Sequence, residues 1–143
     1  MSRRPAVVAF DVIETLMSLE PLRARLTDIG QPPALLEAWY TRTLRDGMAL
    51  SATGDYAGFT DVAEAALRAL THFTISDEQV AQVMAGFNEL PAFPDALPAI
   101  TRLTEAGLRV ACLTNGSASI TSAFVNRTGL GSGVDVDLSL IHI

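Results

Sequence analysis

Short apolar runs that end at polar residues recur along the chain. Residues 6–10 read Ala-Val-Val-Ala-Phe and stop at Asp11. This pattern is typical of a buried parallel strand whose carboxyl end opens onto solvent, so we expect Asp11 to lie at that opening. Residues 109–113 form a second such run, which stops at Thr114, and residues 134–140 alternate like a third strand.

Between the first two runs the apolar period becomes helical. Pro21 predicts the start of a helix that ends at Gly30. The two prolines at residues 32–33 predict the start of a second helix, which ends near Gly47. Ser76 with Gln79 predicts a capping box at the start of a fourth helix. The third helix is predicted from apolar residues at positions i, i+3, i+4, i+7, i+8 and i+11: Phe59, Val62, Ala63, Ala66, Leu67 and Leu70.

Two closely spaced prolines, Pro91 and Pro94, end this helical block, because proline stiffens the chain and blocks helix formation. We interpret residues 90–94 as a hinge. A helix that ends at Gly107 and another that ends at Gly129 then alternate with the later strands. The predicted fold is α/β: a Rossmann-like parallel sheet core, residues 1–16 and 92–143, with an inserted all-helical cap domain, residues 17–91.

Composition narrows the class of protein. The 143 residues are 49% hydrophobic and 18% charged, which favours a folded globule. The formal charge is −6 and every basic residue is Arg, so nothing predicts a nucleic-acid partner. A lone Cys112 forms no internal disulfide or thiolate metal cluster, which favours a reducing cytoplasm. No stretch approaches the roughly 20 apolar residues that cross a bilayer, so no membrane partner is predicted.

Two segments at predicted strand ends carry candidate chemistry. Asp11 is a candidate covalent nucleophile, because the hydroxyl of Thr15 can orient one of its carboxylate oxygens. The alternative is a turn former or helix cap. Residues 114–117, Thr-Asn-Gly-Ser, offer side-chain and backbone donors to an anion where a strand meets a helix. The alternative there is a helix cap built on Ser117 or Ser119.

Both segments, with the helical insertion between them, resemble the haloacid dehalogenase superfamily. Residues 10–16, 35–45 and 113–117 are most similar to type II 2-haloacid dehalogenases, and the resemblance covers nearly the whole chain. It implies a capped hydrolase that acts without a cofactor on a small anionic organic substrate, through an aspartyl ester. It also implies that Asp11 attacks the substrate and Thr15 orients Asp11. The implied substrate-binding residues are Thr114, Asn115, Gly116, Val12 and Tyr40.

Three positions depart from the family pattern. Phosphatases of the superfamily place a second Asp, and dehalogenases a Tyr, where this chain has Ile13, which can transfer no proton. Glu14 stands where dehalogenases usually carry Gly. Tyr40 stands where they usually carry a halide-binding Arg, and ordinary cap packing is its alternative role. An alternative function is a Mg²⁺-dependent phosphatase, with Asp11 and the Ile13 carbonyl as metal ligands. Another is a non-catalytic anion-binding protein or an inactive fragment.

The resemblance also implies a Lys after the third strand and acidic residues after the fourth, whereas this chain has no Lys. Residues 138–143 resemble the translated end of a transposon adapter used for sequencing libraries. We therefore expect a truncated gene, which a stop codon directly after Ile143 in source DNA would contradict. We further expect this chain to be inactive and to aggregate through the strand at residues 6–10. A homodimer formed through cap helices is left open.

Overall fold

The computed structural model describes residues 6–134 and 136–139, and the side chains of residues 6–134. In chain order the regular elements are β1 (Val7–Asp11), α1 (Leu22–Asp28), α2 (Leu35–Thr53), α3 (Phe59–Leu70), α4 (Asp77–Ala85), α5 (Ala96–Glu105), β2 (Arg109–Thr114), α6 (Ala118–Arg127) and β3 (Val136–Ser139). Short 3₁₀ turns follow α4 at Gly86–Glu89 and α6 at Leu130–Ser132.

The strands form a parallel sheet in the order β1-β2-β3, which confirms the predicted α/β class. Asp11 pairs with Leu113, and Thr114 pairs with Ser139, so the ends of the first two strands lie side by side. Asp11 is the last residue of β1 rather than the first residue beyond it. The third strand is confirmed over Val136–Ser139, and residues 135 and 140 of that prediction lie outside the described residues.

Burial differs sharply between the first two strands. The middle of β2 is fully enclosed, with Val110 and Cys112 both at 0% exposure. In β1, exposed residues alternate with half-buried ones, and Val7 keeps 46% of its surface exposed. Among the described strands β1 pairs with β2 alone, so one apolar edge of the described sheet is uncovered. Uncovered apolar edges promote association between chains.

The chain divides into two compact units, of which the helical one spans Leu19–Glu89. Within the part of the chain that the structure describes, the sheet unit consists of residues 6–18, 90–134 and 136–139. The helical unit thus begins at Leu19 rather than at residue 17 and ends at Glu89 rather than at residue 91. The domain boundaries inferred from the sequence stay a prediction beside this division.

Local signals in the helical unit give most of the observed helices. The apolar stripe of α3 is buried except near its end, and Ser76 and Gln79 form both hydrogen bonds of the predicted capping box. The end predicted near Gly47 is wrong, because α2 continues to Thr53. It stops where Gly54, at φ 79°, donates its N–H to the carbonyls of Leu50 and Ser51. A left-handed residue ends a helix, whereas a helical glycine is merely a weaker helix former.

An aromatic cluster holds the helical unit together. Trp39 of α2 is 2% exposed and donates its indole N–H to the carbonyl oxygen of Ala63 on α3, at 2.7 Å. Phe87 packs edge-on against both Trp39 and Phe59, with ring centroids 5.8 and 5.7 Å apart. These contacts fix α2, α3 and the turn after α4 to one another. No helix among residues 6–134 is long and apolar enough to cross a membrane.

Candidate active site

Asp11 and Thr15 lie on the loop that leaves the carboxyl end of β1. The Asp11 side chain is exposed, and its Oδ2 accepts a hydrogen bond from the Thr15 hydroxyl at 2.9 Å. The described residues donate no hydrogen bond to Oδ1. Because a charge-assisted hydrogen bond fixes one carboxylate oxygen, the other is held in a defined orientation and is available to react.

The backbone of this loop closes tightly on one carbonyl. The oxygen of Val12 accepts N–H groups from Thr15, Leu16 and Met17 at 3.3, 2.9 and 2.8 Å. Val12 is itself completely buried. Glu14 donates its N–H to the Met17 carbonyl at 2.7 Å and closes the turn from the other side. The loop is therefore rigid at the point where it presents Asp11.

Glu14 adopts a backbone conformation that favours glycine. Its φ is 61°, in the left-handed region, where a side chain clashes with the backbone. The resemblance implied Gly at this position, and the positive φ supplies the physical reason for that preference. Glu14 is exposed, but its distinctive property is backbone strain.

Thr114 ends β2 beside Asp11, and its side chain is 2% exposed. Its Oγ accepts the N–H of Gly116 at 2.9 Å. Among the described residues the Thr114 hydroxyl hydrogen has no acceptor, which leaves a buried donor for an incoming group. Asn115, directly after it, is exposed. Ser117 caps α6 by accepting the N–H of Ile120 at 3.3 Å, as the alternative role for this segment predicted.

The two loops touch through Ile13, a contact that sequence reasoning missed. Ile13 is 6% exposed. A Cβ on Gly116 would lie 3.5 Å from Cδ1 of Ile13 and 3.2 Å from Oγ of Thr114. Gly116 thus gives both neighbours room, and Ile13 occupies the space between the loops. The sequence did hold a signal for this contact. An apolar residue stands two positions after the candidate nucleophile, and a glycine stands two positions after the end of the second strand.

Tyr40 does not belong to either of these two loops. It belongs to α2 in the helical unit, where it lines a small apolar cavity together with Leu22, Trp39, Thr43 and Phe87. Its substrate-binding role therefore stays a prediction. The structure brings together the other predicted site residues on the two loops of the sheet unit: Asp11, Val12, Thr15, Thr114, Asn115 and Gly116.

The phosphatase alternative requires a Mg²⁺ ion, which Asp11 and its neighbours would have to hold. Within the described part of the chain, no three His, Cys, Asp or Glu side chains converge as a metal-binding group. Mg²⁺ prefers six oxygen ligands in near-octahedral geometry. Asp11 and the Ile13 carbonyl supply two such ligands, and the Ile13 side chain adds none. These residues alone do not fit the ion.

Comparison with known proteins places the geometry in a family. Residues 5–142 match the model of the haloacid dehalogenase-like hydrolases. The chain belongs to this family. It is 30% identical over 135 residues to (S)-2-haloacid dehalogenase 4A from Burkholderia cepacia. The matched region covers 91% of this chain and 58% of that relative. The resemblance inferred from the sequence is thereby confirmed.

Solved structures agree with this assignment. An L-2-haloacid dehalogenase superposes with a TM-score of 0.89 at 27% identity, covering 99% of this chain and 67% of the other. The L-2-haloacid dehalogenase from Xanthobacter autotrophicus superposes with a TM-score of 0.84 at 25% identity, covering 96% and 57%. The family's dehalogenase fold is thus present in a chain that spans about six tenths of the length of several of its relatives.

Proposed function

We propose that the protein is a 2-haloacid dehalogenase that uses Asp11 as its nucleophile. The observation that carries the proposal is the 2.9 Å hydrogen bond from Thr15 to Asp11 Oδ2, which orients the carboxylate and leaves Oδ1 to react. Similarity to the (S)-2-haloacid dehalogenase of Burkholderia cepacia supports the substrate class, a small carboxylic acid with a halogen on C2. The activity is proposed for the whole protein, because this chain covers only 58% of that relative.

The proposed reaction has two displacements. Oδ1 of Asp11 forms a bond to C2 of the substrate as the carbon–halogen bond breaks, and the halide leaves with the electron pair. Water then attacks Cγ of Asp11 in the resulting ester, and of its two protons one passes to the departing alkoxide oxygen and one to solvent. The C–O bond on the enzyme side breaks, which frees the 2-hydroxy acid and restores the Asp11 carboxylate. The hydroxyl oxygen of the first product molecule therefore comes from Asp11.

The second loop supplies groups that suit the substrate carboxylate. The buried Thr114 hydroxyl has a hydrogen to donate, and the exposed Asn115 amide adds further donors. The amino end of α6 lies directly behind them and favours a negative charge. In the proposal Gly116 keeps space open beside Thr114. Val12 contributes its backbone, and the substrate-binding role of Tyr40 stays a prediction.

The phosphatase alternative is not favoured. Phosphomonoester hydrolysis in this superfamily needs a proton-transferring side chain two residues after the nucleophile, and Ile13 has none. Instead Ile13 is buried against Gly116. We accordingly propose a cofactor-free reaction. Cytoplasmic localisation and a homodimer stay predictions.

A single turnover in ¹⁸O-labelled water tests the mechanism. We expect unlabelled 2-hydroxy acid and one ¹⁸O in the peptide that contains Asp11, read by mass spectrometry. Label in the first product molecule would indicate direct attack by water and overturn the ester mechanism. Turnover, here and in the variants below, is measured with protein from the reading frame amplified from source DNA, since the 143-residue chain is expected to be inactive.

Variants test the residues. Asp11→Asn should lower halide release from 2-chloropropionate by more than about 10³-fold, because the amide is a poor nucleophile. Thr15→Val should lower it by about 10- to 100-fold, and Thr15→Ser should retain most of it. Asp28→Asn, an exposed carboxylate at the end of α1, is the matched control and should leave the rate unchanged. Wild-type rates for Asp11→Asn would refute nucleophilic catalysis and favour an anion-binding protein.

A further inference from the structure

Arg127, the last residue of α6, reaches a backbone carbonyl far away in sequence. Its Nη2 donates a hydrogen bond to the oxygen of Leu90 at 2.5 Å. Leu90 is 0% exposed and opens the segment that leads back from the helical unit. A buried carbonyl without a donor costs about 1–3 kcal/mol, so this contact matters for how the segment is held.

The segment that Arg127 holds is poor in its own donors. Pro91 and Pro94 have no N–H, which leaves few backbone groups to tie residues 90–94 to the fold. A charged donor from α6 therefore replaces backbone pairing at the first residue of the segment. The guanidinium comes from α6, which is distant in sequence from residues 90–94 but belongs to the same sheet unit.

The same segment pairs with the end of the candidate nucleophile loop. Ser18 donates its N–H to Pro91 O at 3.0 Å, and Phe93 donates its N–H to Leu16 O at 2.9 Å. Between them Met17 and Ala92 form an antiparallel bridge. These contacts join the two connections between the units side by side.

The pairing continues into the loop that presents Asp11. The N–H groups of Leu16 and Met17 bond to the Val12 carbonyl, at 2.9 and 2.8 Å, and close the turn that holds Thr15 against Asp11. At the other end, α6 begins directly after the loop of residues 114–117. A continuous series of hydrogen bonds thus joins the helix behind one loop to the backbone of the other.

We propose that Arg127 is a positioning residue. It holds residues 90–93, and through them the loop of residues 11–17, in one geometry relative to α6. The contacts exist whether or not the protein is a dehalogenase. Only the link from Arg127 to catalysis rests on the proposed function. Arg127 touches no reacting atom and acts through Leu90 and the paired backbone.

Native-state amide hydrogen exchange on the 143-residue chain tests the proposal without substrate. In Arg127→Met we expect the amides of Ser18 and Phe93 to exchange about tenfold faster relative to those of β2, because a hydrogen bond to a charged donor is lost. The amides of Leu16 and Met17 should follow, since they lie further along the same series. Arg127→Lys, which keeps a charged donor, should restore slow exchange.

Arg102→Met is the matched control. Arg102 is an exposed arginine in the last turn of α5, a helix of the same length as α6. Its replacement removes the same charge and the same interaction with a helix dipole, so it should leave the exchange ratio unchanged. Equal acceleration of all amides in Arg127→Met would show general destabilisation and overturn the proposal. Acceleration that stops at Ser18 and Phe93 would overturn the link to the nucleophile loop. Inactivity of the protein made from the reading frame amplified from source DNA would count against the proposed function alone.

Discussion

Replacing Gly86 with alanine tests how α1 packs in the helical unit. Gly86 follows α4 at φ −59° and ψ −27°, a conformation that alanine adopts freely, so any cost must come from the added methyl group. That Cβ would lie 2.5 Å from Cδ2 of Leu22 and 2.6 Å from Cδ of Arg25. Both distances are shorter than carbon atoms tolerate.

Neither neighbour has room to move away. Leu22 is 0% exposed. The Arg25 guanidinium donates to the Gln82 carbonyl at 2.7 Å and to the Glu89 carboxylate at 2.6 Å. Overpacking of this kind costs about 1–3 kcal/mol. We therefore expect Gly86→Ala to lower the free energy of unfolding by that amount.

Gly47→Ala is the matched control. Gly47 lies inside α2, and a Cβ there would meet no atom within 4 Å. Alanine should raise the free energy of unfolding by about 0.5–1 kcal/mol, since glycine is the weaker helix former. Because both variants change glycine to alanine, the effect on the unfolded chain cancels in their difference, which should be about 1.5–4 kcal/mol.

Urea unfolding followed by Trp39 fluorescence measures both variants, since Trp39 is buried in the same unit. The m-value should stay that of the wild type, so the change appears as a shift of the midpoint. Equal stability of Gly86→Ala and Gly47→Ala would refute the packing of α1 against Gly86.

Three further predictions concern the loop, the charges and the sheet edge. Glu14→Gly should be more stable to urea than Glu14→Ala by about 1 kcal/mol, because φ at this residue is 61°; a more stable alanine variant would contradict the strained loop. Hydrogen bonds from Arg45 and, to a smaller extent, Arg42 hold the pKa of Asp46 below its usual 3.8. The stability that this carboxylate contributes is therefore complete above pH 3.8 and is lost as the pH falls through the lowered pKa. Asp46→Asn should therefore lose less stability than wild type when urea unfolding is repeated from pH 5 down to pH 3, and parallel pH profiles would contradict the ion pair. Val7→Lys should reduce light scattering and hydrophobic-dye binding, because a charge on the uncovered edge of β1 opposes pairing between chains, whereas a monodisperse wild type that binds no dye would refute the exposed edge.

Local patterns in the sequence were sufficient for the elements and for the two strand ends that carry the candidate site. The capping box at Ser76 and the apolar stripe of α3 act within one turn or one helix, so neighbouring residues specify them completely. Asp11 and Thr114 were likewise placed by the polar residue that ends each apolar run. Their proximity followed from the rule that parallel strands present their carboxyl ends on one edge.

Contacts between distant residues decided the rest. The sequence predicted the end of α2 at Gly47, yet a glycine in open space does not stop a helix, and the left-handed Gly54 does. Ile13 packs against Gly116, and Arg127 binds Leu90, only because the fold brings together segments separated by many residues. The sequence by itself determined which residues stand at the strand ends. Tertiary structure decided what surrounds them, because burial and long-range hydrogen bonds exist only once the chain has folded.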